Sequence, residues 1–351
     1  MGDAALPLPE LSRRPAAPNT PVLLNYGLGV DSTGILARWL RDPETRDVPL
    51  EDLVVVTAMT GDEWQSTASA VADHILPLLA LHHVRYVQLA RGGYYRADGV
   101  VVLDDSREPQ RLHIDGAYRL SEELLSNATV PMSAAKMRRC SAKQKGAVID
   151  ASLPLLVPCR AAFRNVVGSA LGEGRRACGG QTYDHPGRTS EYPLIAWGWD
   201  RETSISYLRE QFGITWHKSA CVQCPFAFHR APGANDDLLA RYLAEPDGAL
   251  RALQIEHGAR CVNPTLTLTV SGALRDRFAA DARFAAVLER FTALLDATEH
   301  KLLSVRRVVE GRGLVYRSIR TLDRGTSVEM TRALVAMSGG NVVDEGYTTR
   351  A

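Results

Sequence analysis

Pro21-Val22-Leu23-Leu24-Asn25-Tyr26-Gly27-Leu28-Gly29-Val30-Asp31-Ser32-Thr33 begins as an apolar run and closes on two glycines, an acid and two hydroxyls. The run reads as a buried strand ending at Gly27. Helical spacing follows over residues 34–40 and stops before Pro43. A strand that turns through Gly-x-Gly into a helix is a physical trap for phosphate. The glycines let the backbone approach an anion closely. The helix start offers unpaired N–H groups and the positive end of its dipole. Ser32 and Thr33 add hydroxyl donors. No Gly-Lys-Ser/Thr follows, so this is not a Walker loop, and the missing third glycine separates it from the dinucleotide fingerprint. The same residues also suit an ordinary strand-to-helix turn with Asp31 as its cap.

Working outward, residues 53–58 and 84–89 are further strand-like runs, and residues 68–81 have helical spacing between them. Strand, helix, strand, helix, strand predicts an α/β fold with a parallel sheet flanked by helices. Residues 92–127 read mostly as loops with one helix near Leu120–Ser126. Residues 134–151 read as helix, 165–168 as a strand, and Arg201–Phe212 as an amphipathic helix closed by Gly213. Tyr192, Trp197 and Trp199 read as core. Beyond about residue 230 the pattern becomes mainly helical, over 236–243, 248–257, 274–278 and 284–303, with strand-like alternation over 315–322. The expected organisation is a flexible tail at 1–20, a nucleotide-binding domain at 21–230 and a mainly helical region at 231–351.

The 351 residues are 45% hydrophobic and 23% charged, an ordinary globular balance. The net charge of +1 gives no global pull toward nucleic acid or membrane. No apolar run approaches the roughly 18 residues of a membrane span, and the Ala/Pro-rich start has no signal-peptide core. A cytoplasmic protein is expected. Its six cysteines are too few for a disulfide scaffold. The close pair Cys221-x-x-Cys224 points to metal or redox use. Buried thiols also pack well as small hydrophobes.

Four more segments follow in order: Thr60-Gly61-Asp62-Glu63-Trp64-Gln65-Ser66-Thr67, Arg138-Arg139-Cys140-Ser141-Ala142-Lys143-Gln144-Lys145, Gly168-Ser169-Ala170-Leu171-Gly172-Glu173-Gly174-Arg175-Arg176, and Tyr192 onward to Lys218-Ser219-Ala220-Cys221-Val222-Gln223-Cys224-Pro225. With the glycine loop they resemble the PAPS reductase-like branch of the PP-loop ATP pyrophosphatases, over roughly residues 20–230. Gly27 stands where that family usually has Ser, and Val30 where it often has Lys. The resemblance implies an adenine nucleotide alpha hydrolase-like fold that splits ATP between its α and β phosphates. It implies ATP contacts from Tyr26, Gly27, Leu28, Gly29, Val30, Asp31, Ser32, Thr33, Thr60, Gly61, Asp62, Glu63, Gly168 and Glu173. Asp31, Lys145, Arg176 and Lys218 would be catalytic, and Asp31, Asp62 or Glu63 would hold Mg²⁺.

Cys140, Cys221 and Cys224 would hold a 4Fe-4S cluster or Zn²⁺, with His229 or Cys178 as the fourth ligand. Reduction of PAPS or APS would need a nucleophilic cysteine near the C-terminus, and none follows Cys261. Relatives without that tail include the ATP pyrophosphatases of DNA phosphorothioation systems, which act with a cysteine desulfurase. The expected activity is therefore substrate activation for sulfur transfer, with nucleic acid as the acceptor. The alternatives are a PAPS/APS reductase-like enzyme and a catalytically silent nucleotide-binding subunit. Finally, Lys301, Arg306, Arg307, Arg312, Arg317, Arg320, Arg324 and Arg332 face only Glu310, Asp323 and Glu329 in the same span, a local excess of five positive charges. Such a segment suits a nucleic-acid backbone, and equally a solvated face or a dimer contact.

Overall fold

The structure, a computed structural model, describes residues 20–134, 137–157, 162–229, 233–311, 314–344 and 349–350. The expected tail (Thr20 apart), Cys159, the boundary at 230 and Arg312 lie outside these. The chain divides into two compact units: Met1–Leu120 with Ser133–Cys221, and Ser121–Met132 with Val222–Ala351.

The first unit is a six-stranded sheet flanked by helices. In chain order it contains β1 (Val22–Asn25), α1 (Val30–Arg41), β2 (Leu53–Met59), α2 (Gln65–His74), α3 (Leu76–Leu81), β3 (Arg85–Arg91) and β4 (Val100–Ser106). After α4 (Leu120–Ser126) come a short hairpin, β5 (Ser133–Ala134) and β6 (Met137–Arg138), then α5 (Arg139–Ser141) and α6 (Ala147–Leu156). The unit closes with β7 (Phe163–Val167), α7 (Gly174–Gln181), β8 (Arg188–Glu191), α8 (Pro193–Ala196) and α9 (Arg201–Phe212). The strand order is β4-β3-β2-β1-β7-β8. All neighbours are parallel except the antiparallel β3–β4 edge.

Helices cover both faces, which is why β1 and β2 are continuous apolar runs rather than alternating ones. Val22, Leu24 and Tyr26 pack with Ile35, Leu36 and Trp39 of α1 and with Leu208 of α9. Leu23, Val54 and Val56 pack on the other face with Val148 and Leu156 of α6. Burying one such side chain contributes about 1.5–3 kcal/mol.

Several expectations change in detail. The helix expected over 68–81 is two helices meeting at Ile75, because Pro77 has no N–H to continue the ladder. The helix expected over 134–151 is the β5–β6 hairpin followed by a π-type turn at 142–146 and then α6. Residues 92–127 contain a strand, β4, which is an edge strand with Val101 and Val102 exposed. α9 begins on Asp200, whose carboxylate accepts from the Thr203 amide at 2.8 Å.

The second unit holds α10 (Asp236–Ala244), α11 (Pro246–Val262), α12 (Leu274–Ala279) and α13 (Ala285–Asp296). It continues with an antiparallel ribbon of β9 (His300–Glu310) and β10 (Leu314–Gly325), then α14 (Ser327–Ser338). Phe278 stacks on Phe284 at 4.0 Å and meets Tyr242 edge-on. The buried Glu256 carboxylate accepts from the Leu268 and Leu274 amides at 2.7 and 2.6 Å, tying the loop between α11 and α12. The helix expected to reach residue 303 ends at Asp296, and the β-branched run from Val305 belongs to β9. No helix of the described residues is long and apolar enough to cross a membrane.

Candidate functional site

The chain runs from β1 leftward to β2 and β3, then returns to place β7 on the other side of β1. That reversal opens a crevice at the carboxyl ends of β1 and β7, the position where open α/β sheets bind ligands. Asn25 ties the two strands there, its amide donating to Asn165 Oδ1 at 2.8 Å and to the Val166 carbonyl at 3.0 Å.

The glycine loop leaves β1 into this crevice. Leu28 adopts a left-handed φ of 63°, a conformation that a branched side chain rarely takes. It is buried, and its carbonyl accepts from the Trp216 indole at 3.0 Å. Gly29 allows a close approach: a Cβ there would lie 2.3 Å from the Ser219 amide nitrogen. Gly168, after β7, makes a second one, and its Cβ would lie 2.8 Å from the Ser32 nitrogen. The Val30 amide donates to the His217 carbonyl and the Thr33 amide to Gly29. The Asp31 and Ser32 amides, at the start of α1, find no acceptor among the described residues. Ser169 follows Gly168, is fully buried, and its hydroxyl has no hydrogen-bond partner among the described residues.

The loop side chains are used mostly within the loop. Ser32 Oγ accepts from the Gly27 amide and donates to the Gly29 carbonyl. Thr33 Oγ1 donates to Gly29 O at 2.9 Å and lies 3.3 Å from the Tyr26 hydroxyl. Tyr26 is a core residue edge-on to Tyr86, and burial pushes its phenol well above the usual tyrosine range. The loop therefore presents backbone rather than side chains to a ligand.

Charge comes from elsewhere. Arg201, the first residue of α9, grips Asp31 with Nε and Nη2, at 3.3 and 2.9 Å. The same Nη2 reaches Glu173 at 3.0 Å, and Arg176 holds the other Glu173 oxygen at 3.0 Å. Burial pushes the Glu173 carboxyl up, but Arg176, Arg201 and Lys218 outweigh it and leave it below its usual range. Lys218 keeps solvent contact, yet desolvation by the atoms packed around it and the Arg201 charge hold its ammonium below the ordinary lysine range. Arg138 and Asp31 act on Lys218 electrostatically as well. Four cations thus meet two carboxylates, an arrangement that favours a further anion. Arg138 opens the segment quoted for the family resemblance, whereas Arg201 carries no local sequence signal for this role; only the fold brings it to Asp31.

At the end of β2, Glu63 accepts from the Thr60 amide and hydroxyl and from the Asp62 amide, closing a turn through Gly61. Cys221 bridges to Glu63 in antiparallel fashion, and its Sγ lies 3.1 Å from Thr60 Oγ1. Lys145 lies in the 142–146 turn packed against β2, and it makes no hydrogen bond or ion pair with the described residues.

Two implied groups separate here. The residues fit ATP phosphates: two glycine approaches, two amides without acceptors and an orphaned buried hydroxyl line one crevice. A cluster or zinc does not fit, because no three His, Cys, Asp or Glu side chains come within metal-binding reach among the described residues. In the second unit, Cys224 starts a short turn and its carbonyl accepts from the Ala227 amide, while the backbone of the exposed His229 donates to Asn235 Oδ1 and accepts from its Nδ2. The same observation leaves Mg²⁺ without a preformed carboxylate set, Asp31 being paired to Arg201.

A cavity of about 680 Å³ lies elsewhere in the first unit, lined by Trp39, Asp47, Arg164, Arg188, Glu191 and Trp197 among others. It shares no residue with the glycine loop, and its Arg164 is already neutralised by Glu191 and Asp47 at 2.7 and 2.8 Å. The crevice, with its open amides and cation excess, is the better candidate for an anionic ligand. No protein-family model, curated protein or solved structure matches this chain.

Proposed function

We propose that this protein is an ATP pyrophosphatase of the PP-loop kind, with an adenine nucleotide alpha hydrolase-like fold, that activates an acceptor for sulfur transfer. The observation that carries the reading is the crevice between β1 and β7, where backbone amides, close glycine approaches and the Asp31–Arg201–Glu173–Arg176 network converge. ATP would supply the anhydride whose cleavage activates the acceptor. The Asp31 and Ser32 amides and the α1 dipole would hold phosphate oxygens. Lys218, Arg176 and Arg138 would offset charge that builds on them during attack. Arg201 would fix Asp31 and Glu173 in place. Cys221, beside Thr60 at the end of the neighbouring strand, supports sulfur chemistry nearby. A cysteine desulfurase as donor and nucleic acid as acceptor complete the proposal, which assigns no step to a metal or cluster.

A second reading has its own support. Val30 is buried where a loop lysine would serve ATP, and Asp31 is engaged by Arg201. Those features favour a nucleotide-binding subunit without turnover. The deciding experiment incubates the protein with Mg-ATP, a sulfur donor and DNA, and measures pyrophosphate beside ATP binding by calorimetry. Pyrophosphate release supports the enzyme, and binding without release selects the silent subunit. Absence of both refutes the nucleotide reading.

A further inference from the structure

The β9–β10 ribbon of the second unit is 11 and 12 residues long. At about 3.4 Å per residue it extends roughly 35–40 Å, about one turn of duplex DNA. Its register pairs Arg307 with Arg317, Arg306 with Ser318, Ser304 with Arg320 and Val305 with Ile319. Directly opposed residues share a face, and successive residues alternate faces. Arg307 and Arg317 therefore lie side by side on one face, and Arg306 and Arg320 lie diagonally on the other.

Among the described residues no acid answers these four arginines. Among the described residues none of them makes a hydrogen bond or ion pair, whereas Arg324 nearer the base pairs with Glu299 at 3.1 Å. Glu310 accepts from the Tyr316 hydroxyl instead. Like charges directly opposed across a ribbon destabilise it, so the 307/317 pair is an unfavourable choice unless an anion answers it. α14 packs on the ribbon, with Met330 buried, but residues 304–307, 309, 316 and 318–321 are exposed. Val305, Val309, Tyr316 and Ile319 are exposed between the arginines.

We propose that the β9–β10 ribbon docks into the major groove of duplex DNA, with Arg306 and Arg320 facing one phosphate wall and Arg307 and Arg317 the other. A ribbon bearing side chains on both faces is roughly 10 Å thick. The B-form major groove is about 12 Å wide and admits it, and the minor groove, about 6 Å wide, does not. The deep, narrow major groove of A-form RNA excludes it too. Valine and isoleucine between the arginines suit thymine methyl groups.

The inference stands apart from the nucleotide reading, and its test uses no ATP. Anisotropy of a labelled 20-base-pair DNA duplex is followed with the full chain from 50 to 200 mM salt. Four engaged arginines give a log–log salt slope of about −3.6. The R307A/R317A double variant is expected to weaken binding at least tenfold and to halve that slope, while R307K/R317K keeps it. Circular dichroism establishes that each variant is folded, and the wild-type slope stands as evidence independent of any variant. No DNA binding at 50 mM salt, or binding indifferent to R307A/R317A, overturns the proposal. Equal affinity for an RNA duplex overturns the groove assignment. A wild-type dimer dispersed by R307A/R317A would overturn it in favour of self-association.

Discussion

Gly29→Ala tests the crevice most directly. The backbone at Gly29, φ −96° and ψ 170°, suits any residue, so the substitution adds a clash and no torsional strain. The new Cβ would meet Ser219 N, Cβ and Cα at 2.3, 2.6 and 2.9 Å. Relieving this to van der Waals distance moves the 217–219 segment by more than about 1 Å. That shift breaks the Val30 amide bond to His217, worth about 1 kcal/mol, and adds overpacking of about 1–3 kcal/mol. If phosphate binding depends on this loop geometry, ATP affinity falls by about 2–4 kcal/mol, or roughly 30- to 1000-fold. Gly27→Ala is the control, because its Cβ would meet only Ser219 Oγ and Ser32 Oγ, at 3.8 and 3.9 Å. Calorimetric titration with ATP, beside a circular dichroism spectrum, reads both variants. A folded Gly29→Ala protein that binds ATP like wild type, or a Gly27→Ala protein equally impaired, refutes the reasoning.

Arg201→Ala should leave Asp31 and Glu173 without their shared cation, costing about 1–3 kcal/mol of stability in urea titration. Arg201→Lys should recover only part of it, since one ammonium cannot reproduce the fork to Asp31 and reach Glu173. His257 of α11 gives a pH signature: burial, with the His300 and Arg275 charges, pushes its imidazole down to about 4. Below about pH 6.5 the unfolded chain takes up a proton that the folded one refuses, so stability drops as pH falls from 6.5 toward 4, by up to about 3 kcal/mol. Urea midpoints at pH 7 and pH 5 measure the drop, and His257→Leu should flatten it.

The fold's centre was legible because β1, β2 and β3 are buried on both faces and so write themselves as unbroken apolar runs. β4 was not, since an edge strand carrying Asp104 and Asp105 among its valines lacks that signature. The helix read through 303 overran because Leu294, Leu295, Leu302 and Leu303 keep helical spacing across the turn at residues 297–299. At the site, the loop residues stood out by their glycines. Arg201 did not, because its partner Asp31 is 170 residues away and no local pattern encodes that meeting.

The segment Ser121–Met132 belongs to the second unit although it interrupts the first. In that unit Leu125 of α4 reaches within 4.0 Å of where a side chain on Gly258 would begin. During synthesis α4 therefore emerges roughly ninety residues before the rest of its unit begins at Val222. At about 5–20 residues per second it waits about 5–20 s without its partners. Leu124, buried in the finished protein, stays open to solvent or to a chaperone for that interval. The order in which the chain leaves the ribosome thus makes the second unit the last to close.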